Sequence, residues 1–377
     1  MFHFVLYSRP DVYWGFFMAI KADEKYMRLT LELAERARGK TSPNPLVGAV
    51  IVKNNRIIGH GYHKKAGSSH AEIVALESAG GHARGAALYV NLEPCCHFGR
   101  TRPCTREIIK AGIKEVIYAV KDPNPLVNGK GARELIKGGV AVRSGILRTE
   151  AIRLNEVYCK FITTGRPFVV LKMAQSLDGK IATMTGDSQW ITGNNSRKFV
   201  HVLRAMYDAV AVGAGTVRVD NPRLTVRLAG GKNPYRIVLS ENPDFPRNSA
   251  LFRENDDCKT IVATSPVSAG RLKARNLVIW KIRKTKNGLS LTDFLDKAAK
   301  FGITSILVEG GAELATSFVR QRLVDKFHFI TAPVVIGRGM DVLNNLSVRK
   351  LSDSLHFKEM NTERSGDDII FTGYPEA

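Results

Sequence analysis

His70-Ala71-Glu72 is followed along the chain by Pro94-Cys95-Cys96 and then by Cys104. These positions offer one imidazole, two separated thiols and a carboxylate close to the imidazole. Zinc accepts nitrogen and sulfur donors, and three protein ligands leave its fourth position to water, whereas a structural site is closed by a fourth residue. A carboxylate beside the first ligand can then move the protons that a hydrolytic deamination requires. His70, Cys95 and Cys104 are therefore read as ligands of Zn2+, and Glu72 as the proton-transfer group. Cys96 and His97 are candidates for a closing ligand, but both lie so near Cys95 that sharing one tetrahedral centre is strained. Cys104 is expected just before a helix, where the helix dipole favours a thiolate.

These side chains need elements to hold them. Residues 23–38 carry apolar positions at helical spacing, with Asp23 placed to cap the start and Gly39 to end the helix. Residues 47–52 and 56–61 read as a hairpin turned at Asn54-Asn55. A helix is expected to begin near His70, with Ile73, Val74, Leu76 and Ala79 on one face. Residues 87–92 form a buried strand that ends at Glu93-Pro94, residues 105–111 a helix, and residues 116–120 a strand. The alternation predicts a three-layer α/β domain over residues 21–160. A linker is expected at residues 161–167. Short apolar strands then recur at 168–173, 209–213, 236–239, 260–263 and 305–309, predicting a second α/β domain over 168–377. Pro-Asn-Pro-Leu-Val occurs at 43–47 and again at 123–127 with different flanks, so it marks rigid turns and not a repeat. The first leads into the strand expected to border the metal, which makes Asn44 a substrate-contact candidate.

The 377 residues are enough for two domains, and 44% hydrophobic with 24% charged residues is ordinary for a globular chain. The net charge of +21 is not ordinary. The basic residues are spread along the whole length, which fits a general basic bias with anionic ligands better than a nucleic-acid surface. Five cysteines make no disulfide framework and suggest a reducing cytoplasm. Residues 1–20 are read as an extension with weakly packed structure; their longest uncharged run, 12–20, is too short to cross a bilayer, and no membrane role is expected.

The His-x-Glu and Pro-Cys elements match the signature of zinc deaminases, except that nine positions separate Cys95 from Cys104 where nucleic-acid deaminases have a compact Cys-x-x-Cys. With Glu93-Pro94-Cys95-Cys96-His97-Phe98-Gly99-Arg100-Thr101 and Asp122-Pro123-Asn124-Pro125, the first half resembles the deaminase part of the bifunctional riboflavin-biosynthesis deaminase/reductases. The second half is similar to the reductase part of that family. The matching stretches are Leu171-Lys172, Ser176-Leu177-Asp178-Gly179-Lys180, Ser188-Gln189-Trp190-Ile191-Thr192, Gly215-Thr216-Val217, Asp220-Asn221-Pro222, Leu224-Thr225-Val226-Arg227 and Glu309-Gly310-Gly311.

The resemblance implies a three-layer cytidine-deaminase-like domain followed by a dihydrofolate-reductase-like α/β domain. It implies a phosphorylated pyrimidine substrate, deaminated on its ring and then reduced at its ribosyl group by NADPH. Cofactor contacts fall on Ala174, Trp190, Thr216, Asp220 and the segment Gly311-Ala312-Glu313-Leu314-Ala315-Thr316-Ser317, where a Gly-rich turn opening a helix suits a phosphate. Substrate contacts fall on Ser188, Arg204, Leu224, Arg227 and Glu309, with the two arginines as phosphate clamps. Lys172 and Asp220 are the candidates for proton transfer at the sugar carbon. An oligomer of identical chains is expected of such an enzyme. Asn91 and Arg102 depart from the family pattern without touching a chemical role, and no cofactor-contacting serine is expected after Leu239. There is no Rossmann fingerprint. A nucleic-acid-editing deaminase would have the compact Cys-x-x-Cys and no second half; a regulatory protein that had lost activity would not need the intact zinc and proton-transfer groups.

Overall fold

The computed structural model describes residues 10–98, 102–246, 248–272 and 276–376. The chain divides into two compact units between Thr163 and Thr164. In the first, α1 (Pro10–Glu35) precedes β1 (Gly48–Lys53), β2 (Arg56–Tyr62), α2 (Ala71–Ala79), β3 (Ala87–Leu92), α3 (Cys104–Lys110), β4 (Glu115–Val120), α4 (Lys130–Lys137), β5 (Ala141–Ser144), α5 (Arg148–Leu154) and α6 (Glu156–Thr164). The strands form one sheet in the order β2-β1-β3-β4-β5. Successive side chains of a strand point to opposite faces. Ile51, Leu88, Val90 and Val116 therefore pack with Ala75, Ile108 and Leu135 on one face. Val50, Tyr89 and Ile117 pack with Met27, Leu33 and Ala151 on the other. This is the expected three-layer arrangement, and coverage of both faces is why these strands read as continuous apolar runs.

Two expectations about the ends of this unit are corrected. The first helix does not start at Asp23 but runs from Pro10, so it includes half of the stretch read as an extension; residues 1–9 lie outside the described residues. Asp23 caps nothing. It is buried within the helix, where it accepts from the Tyr89 hydroxyl at 2.6 Å and pairs with Arg143 at 2.7 Å. The expected linker is also shorter, because α6 continues through Thr164. Thr163 Oγ1 donates to the Cys159 carbonyl one turn back at 2.7 Å.

The second unit contains β6 (Phe168–Ser176), β7 (Lys180–Thr183), α7 (Asn194–Met206), β8 (Ala209–Gly213), α8 (Ala214–Asp220), β9 (Tyr235–Leu239), α9 (Ala250–Arg253), β10 (Thr260–Thr264), α10 (Pro266–Ala269) and β11 (Val278–Lys281). After them come β12 (Lys284–Thr285), β13 (Gly288–Leu289), α11 (Leu291–Lys300), β14 (Ser305–Glu309), α12 (Ala312–Arg320), β15 (Lys326–Ala332), β16 (Gly339–Asp341), β17 (Phe357–Ser365) and β18 (Asp368–Pro375). Nine strands form a sheet in the order β11-β10-β9-β8-β14-β6-β15-β18-β17. The strands from β11 to β15 are parallel, while β18 and β17 close the edge antiparallel. The five expected strands are all present. β15 escapes the pattern because it carries His328, and β17 because it is polar and exposed along its length. The order turns back at β14, which comes late in sequence yet lies between β8 and β6, and a crevice at the carboxyl ends of the strands follows from such a reversal.

Candidate functional sites

In the first unit, α2 is seated by a glycine. A Cβ on Gly61 would lie 2.6 Å from Val74 Cβ and 2.8 Å from the Ala71 carbonyl, so β2 brings its backbone flush against the first turn of α2. His70 occupies the N-cap position of that helix, and Glu72 lies buried in its first turn. His70 Nδ1 is 3.2 Å from Cys104 Sγ and 3.5 Å from Cys95 Sγ. Among the described residues these three form the one group able to hold a metal, with all ligand atoms within 4.8 Å of one another. Zinc bonds of about 2.0 Å to nitrogen and 2.3 Å to sulfur at tetrahedral angles set nitrogen–sulfur edges of roughly 3.5 Å. The donor set fits. Cys96 is not part of it, since its thiol faces the Leu126 carbonyl at 3.8 Å.

Cys104 is the first residue of α3 and does not precede it. Donation from the Cys104 thiol, with help from His70, brings Cys95 down to about 4. The same bond and full burial push Cys104 up. Burial raises the Glu72 carboxyl, and the nearby Cys95 charge adds to this.

The strand end bearing Cys95 is fastened by Glu93. Its buried carboxylate accepts from Gly129 N at 2.9 Å, Ala132 N at 3.0 Å and Asp122 N at 3.3 Å. A Cβ on Gly131 would lie 2.1 Å from the Pro94 carbonyl, so α4 begins in contact with the Pro94-Cys95 backbone. Asp122 itself is pushed up to about 6 by burial and accepts from the Tyr158 hydroxyl at 2.9 Å. The second Pro-Asn-Pro turn is thus anchored structurally, by Asn124 N donating to Asp122 Oδ1. Gly99-Arg100-Thr101 lies outside the described residues.

Asn44 connects to the metal ligands through His63, its side chain reaching Nε2 at 3.1 Å. His63 was not singled out from the sequence. Its Nδ1–H donates to the Ser69 carbonyl at 3.1 Å, so Nε2 accepts from Asn44, and burial holds the ring neutral. Its ring meets that of His70 edge-on at 5.6 Å. A lone histidine just past the end of a strand gives no linear signal of this. Asn91 also supports this corner of the site. Gly48 N donates to its Oδ1 at 2.8 Å, and its Nδ2 donates to the Leu46 carbonyl at 2.8 Å, which fixes the Asn44 loop to the sheet.

The second unit holds a cleft of about 1600 Å³. That exceeds the roughly 300–1,000 Å³ of a pocket for one small ligand, leaving room for a cofactor beside a substrate. Lys172, Ala174, Ser188, Trp190, Arg204, Thr216, Asp220, Leu224, Arg227, Glu309, Gly311, Ala312, Glu313, Leu314 and Ser317 all line it. Ala315 and Thr316 do not. They lie on the inner side of α12, Ala315 in the hydrophobic core and Thr316 accepting from Asn344 N at 2.8 Å. Ser240, directly after Leu239, lines the cleft as well.

An NADPH fits the groups present. Gly310 has φ of 91°, and a Cβ there would lie 2.6 Å from Thr216 Oγ1. Gly311 N donates to the same Oγ1 at 3.2 Å. Gly311 gives the nine-residue α12 no side-chain cap, so the first-turn N–H groups of that helix are available to a phosphate.

The charged floor of the cleft differs from expectation in one respect. Arg204 Nε donates to Glu309 Oε1 at 2.8 Å and Nη2 to Oε2 at 2.9 Å, while Nη1 reaches the Thr225 carbonyl at 3.3 Å. Three of the five N–H donors of the guanidinium are committed in this way, which leaves fewer for a phosphate than the expected clamp requires. Burial alone would raise Glu309, but Arg204 outweighs it and keeps the carboxyl below its ordinary range. Lys172 Nζ lies 4.0 Å from Glu309 Oε2, and burial pulls its ammonium down. Asp220 is raised by burial, offset in part by Lys172. His201, unnoticed in the sequence, lines the same cleft and accepts from Arg227 N at 2.9 Å through Nδ1. Burial, with the Arg204 and Arg227 charges, brings it down to about 4 and leaves it neutral.

Comparison with known proteins covers both sites. Residues 20–120 match the family model described as the cytidine and deoxycytidylate deaminase zinc-binding region, and residues 167–371 match that of the RibD C-terminal domain. The riboflavin biosynthesis protein RibD of Aquifex aeolicus is 43% identical over 356 residues, 94% of this chain and 98% of that protein. That of Escherichia coli is 38% identical, over 92% of this chain and 98% of the relative. Among solved structures, Acinetobacter baumannii RibD is 35% identical with a TM-score of 0.85, covering 95% of this chain and all of that one. A deaminase/reductase from Thermotoga maritima is 38% identical with a TM-score of 0.86, covering 95% of this chain and 99% of the other. The family takes zinc in its deaminase half and NADPH in its reductase half, and both donor sets are present here. With both halves matched in order and almost end to end, this chain belongs to the RibD family of bifunctional riboflavin-biosynthesis deaminase/reductases.

Proposed function

We propose that the deaminase reaction takes place over residues 21–160 and the reductase reaction over 168–377, on the substrates named for the Thermotoga relative: a diaminohydroxyphosphoribosylaminopyrimidine and then a 5-amino-6-(5-phosphoribosylamino)uracil. The observation that carries the reading is the three-membered His70–Cys95–Cys104 cluster with the buried carboxylate of Glu72 two residues beyond His70. His70, Cys95 and Cys104 hold the zinc, which when bound supplies a Lewis acid that makes water a nucleophile near neutral pH. Glu72 takes the proton of the attacking water and returns protons to the ring nitrogen and the departing amine. Asn44, held by neutral His63, is placed to hydrogen-bond the ring.

In the cleft, a bound NADPH would be the source of the hydride that reduces the sugar carbon. Ala174, Trp190, Thr216, Asp220 and the exposed side of 311–317 hold the cofactor. Ser188, Leu224, Arg227 and Glu309 meet the substrate, with Arg227 toward its phosphate. Lys172, 4.0 Å from Glu309 and under the charge of Asp220 as well, is the group suited to give a proton to the sugar oxygen. Five unpaired cysteines support a reducing, cytoplasmic setting. Assembly with identical chains is part of the same reading, supported by the free edge of β17, exposed from Lys358 to Arg364 on both faces. The test is to incubate purified, zinc-analysed protein with the diaminopyrimidine substrate and follow ammonia release and NADPH oxidation. Ammonia without NADPH oxidation, or the reverse, would reject one half of the reading.

A further inference from the structure

Six cationic side chains line the cleft: Lys172, Arg197, Arg204, Arg218, Arg223 and Arg227. Five are accounted for near the substrate or by neighbours. Lys172 and Arg204 face Glu309, Arg223 pairs with Glu254 at 3.0 Å, Arg197 lies over the Trp190 ring at 4.6 Å, and Arg227 reaches Thr225 Oγ1 at 3.0 Å. Arg218 is different. It is exposed on α8, and its contact among the described residues is one long hydrogen bond, Nη1 to the Asp244 carbonyl at 3.4 Å. It has no carboxylate partner among them.

The strand order says what Arg218 faces. α8 leaves the carboxyl end of β8, and residues 240–244 leave the carboxyl end of the adjacent β9, Gly213 and Leu239 being in register. Ser240, Glu241, Asn242 and Asp244 line the cleft there together with Arg218. Next in order come β14, which leads into the α12 phosphate site, and then β6, which bears Lys172 and Ala174. From β9 to β6 is three strand spacings, roughly 14 Å. A dinucleotide with its pyrophosphate at α12 and its reacting ring over β6 therefore puts its adenosine ribose over β8 and β9. The loop there is well tied: Ser240 Oγ donates to the Asn242 carbonyl at 2.8 Å, and Thr264 Oγ1 to that of Glu241 at 3.1 Å. The Glu241 carboxylate is engaged by Lys284 and does not need Arg218.

We propose that Arg218 binds the 2′-phosphate of NADPH and is the residue that makes the reductase discriminate NADPH from NADH. The inference rests on the cleft being the cofactor site. Guanidinium pairs with a phosphate dianion through two parallel N–H donors, and NADH offers only a hydroxyl at this point.

The test compares adenosine 2′,5′-bisphosphate with adenosine 5′-diphosphate by calorimetry on the full-length protein and on the Arg218→Ala and Arg218→Lys variants. The unaltered chain is expected to favour the bisphosphate, and Arg218→Ala to lose about 10- to 100-fold of that preference while Arg218→Lys keeps part of it. The ratio of KM for NADPH to KM for NADH should rise in parallel. If both adenosine ligands bind and Arg218→Ala leaves their ratio unchanged, or weakens both equally, the assignment is wrong. If the unaltered chain binds neither, the cofactor site itself is misplaced and the assignment falls with it.

Discussion

Arg204 and Glu309 are joined by two parallel hydrogen bonds of 2.8 and 2.9 Å at the floor of the cleft, although they lie 105 residues apart in sequence. Glu309 is buried and the Arg204 side chain is only 12% exposed, so each is the other's main partner. The pair orients Glu309 and keeps it ionised, and through it sets the charge that Lys172 meets.

Replacing Arg204 with Met removes the partner of a buried carboxylate, a change that costs on the order of 3–5 kcal/mol locally when it is not relieved. Glu309 should then take up a proton and cease to face Lys172 as an anion. NADPH oxidation is expected to fall about 100-fold or more through kcat, while ammonia release stays near its original rate. A loss confined to KM for the phosphorylated substrate, and absent with the dephosphorylated one, would return Arg204 to the role of a phosphate clamp.

Glu72→Gln is isosteric but cannot carry protons. Zinc content measured by atomic emission should be retained and ammonia release lost by a factor of at least about 100. Cys104→Ser should lose the zinc itself. Substantial deamination by the Gln variant would eliminate Glu72 as the proton carrier.

Glu93 touches no ligand atom, yet it binds three backbone N–H groups around the Cys95 segment. Glu93→Ala leaves those donors without an acceptor, at about 1–3 kcal/mol each in a buried place. Zinc should be lost to a competing chelator at least tenfold more readily, with Glu93→Gln intermediate. Equal chelator resistance in all three proteins would show that the loop needs no such anchor.

His328 is buried on β15 beside Thr372, and burial brings its imidazole down to about 3. The unfolded chain binds a proton at His328 below about pH 6.5 while the folded chain does not, so this residue makes stability fall as pH drops from 6.5 toward 3. The slope is at most about 1.4 kcal/mol per pH unit. Urea unfolding of the second unit between pH 7.5 and 5 should show a shallower decline for His328→Leu than for the unaltered chain. Parallel curves would contradict the buried, neutral assignment.

Much of this molecule is legible in its linear order. His70, Glu72, Cys95 and Cys104 state their chemistry by donor type, and the apolar runs at 87–92, 168–173, 209–213 and 305–309 state their strands because both faces of each sheet are covered. Local pattern cannot report what depends on rotation about a helix or on pairing across the sheet. Whether residue 315 or 317 of α12 meets the cleft is decided by how that helix packs. That Arg204 faces Glu309 follows from α7 packing through Val200 on β15 and β18, which brings its last turn to the end of β14, and that His63 stands beside His70 follows from α2 lying flush on β2. The chain by itself determined which groups are present to do chemistry. Only the tertiary structure decided which of those groups are already satisfied by one another and which remain open to a ligand.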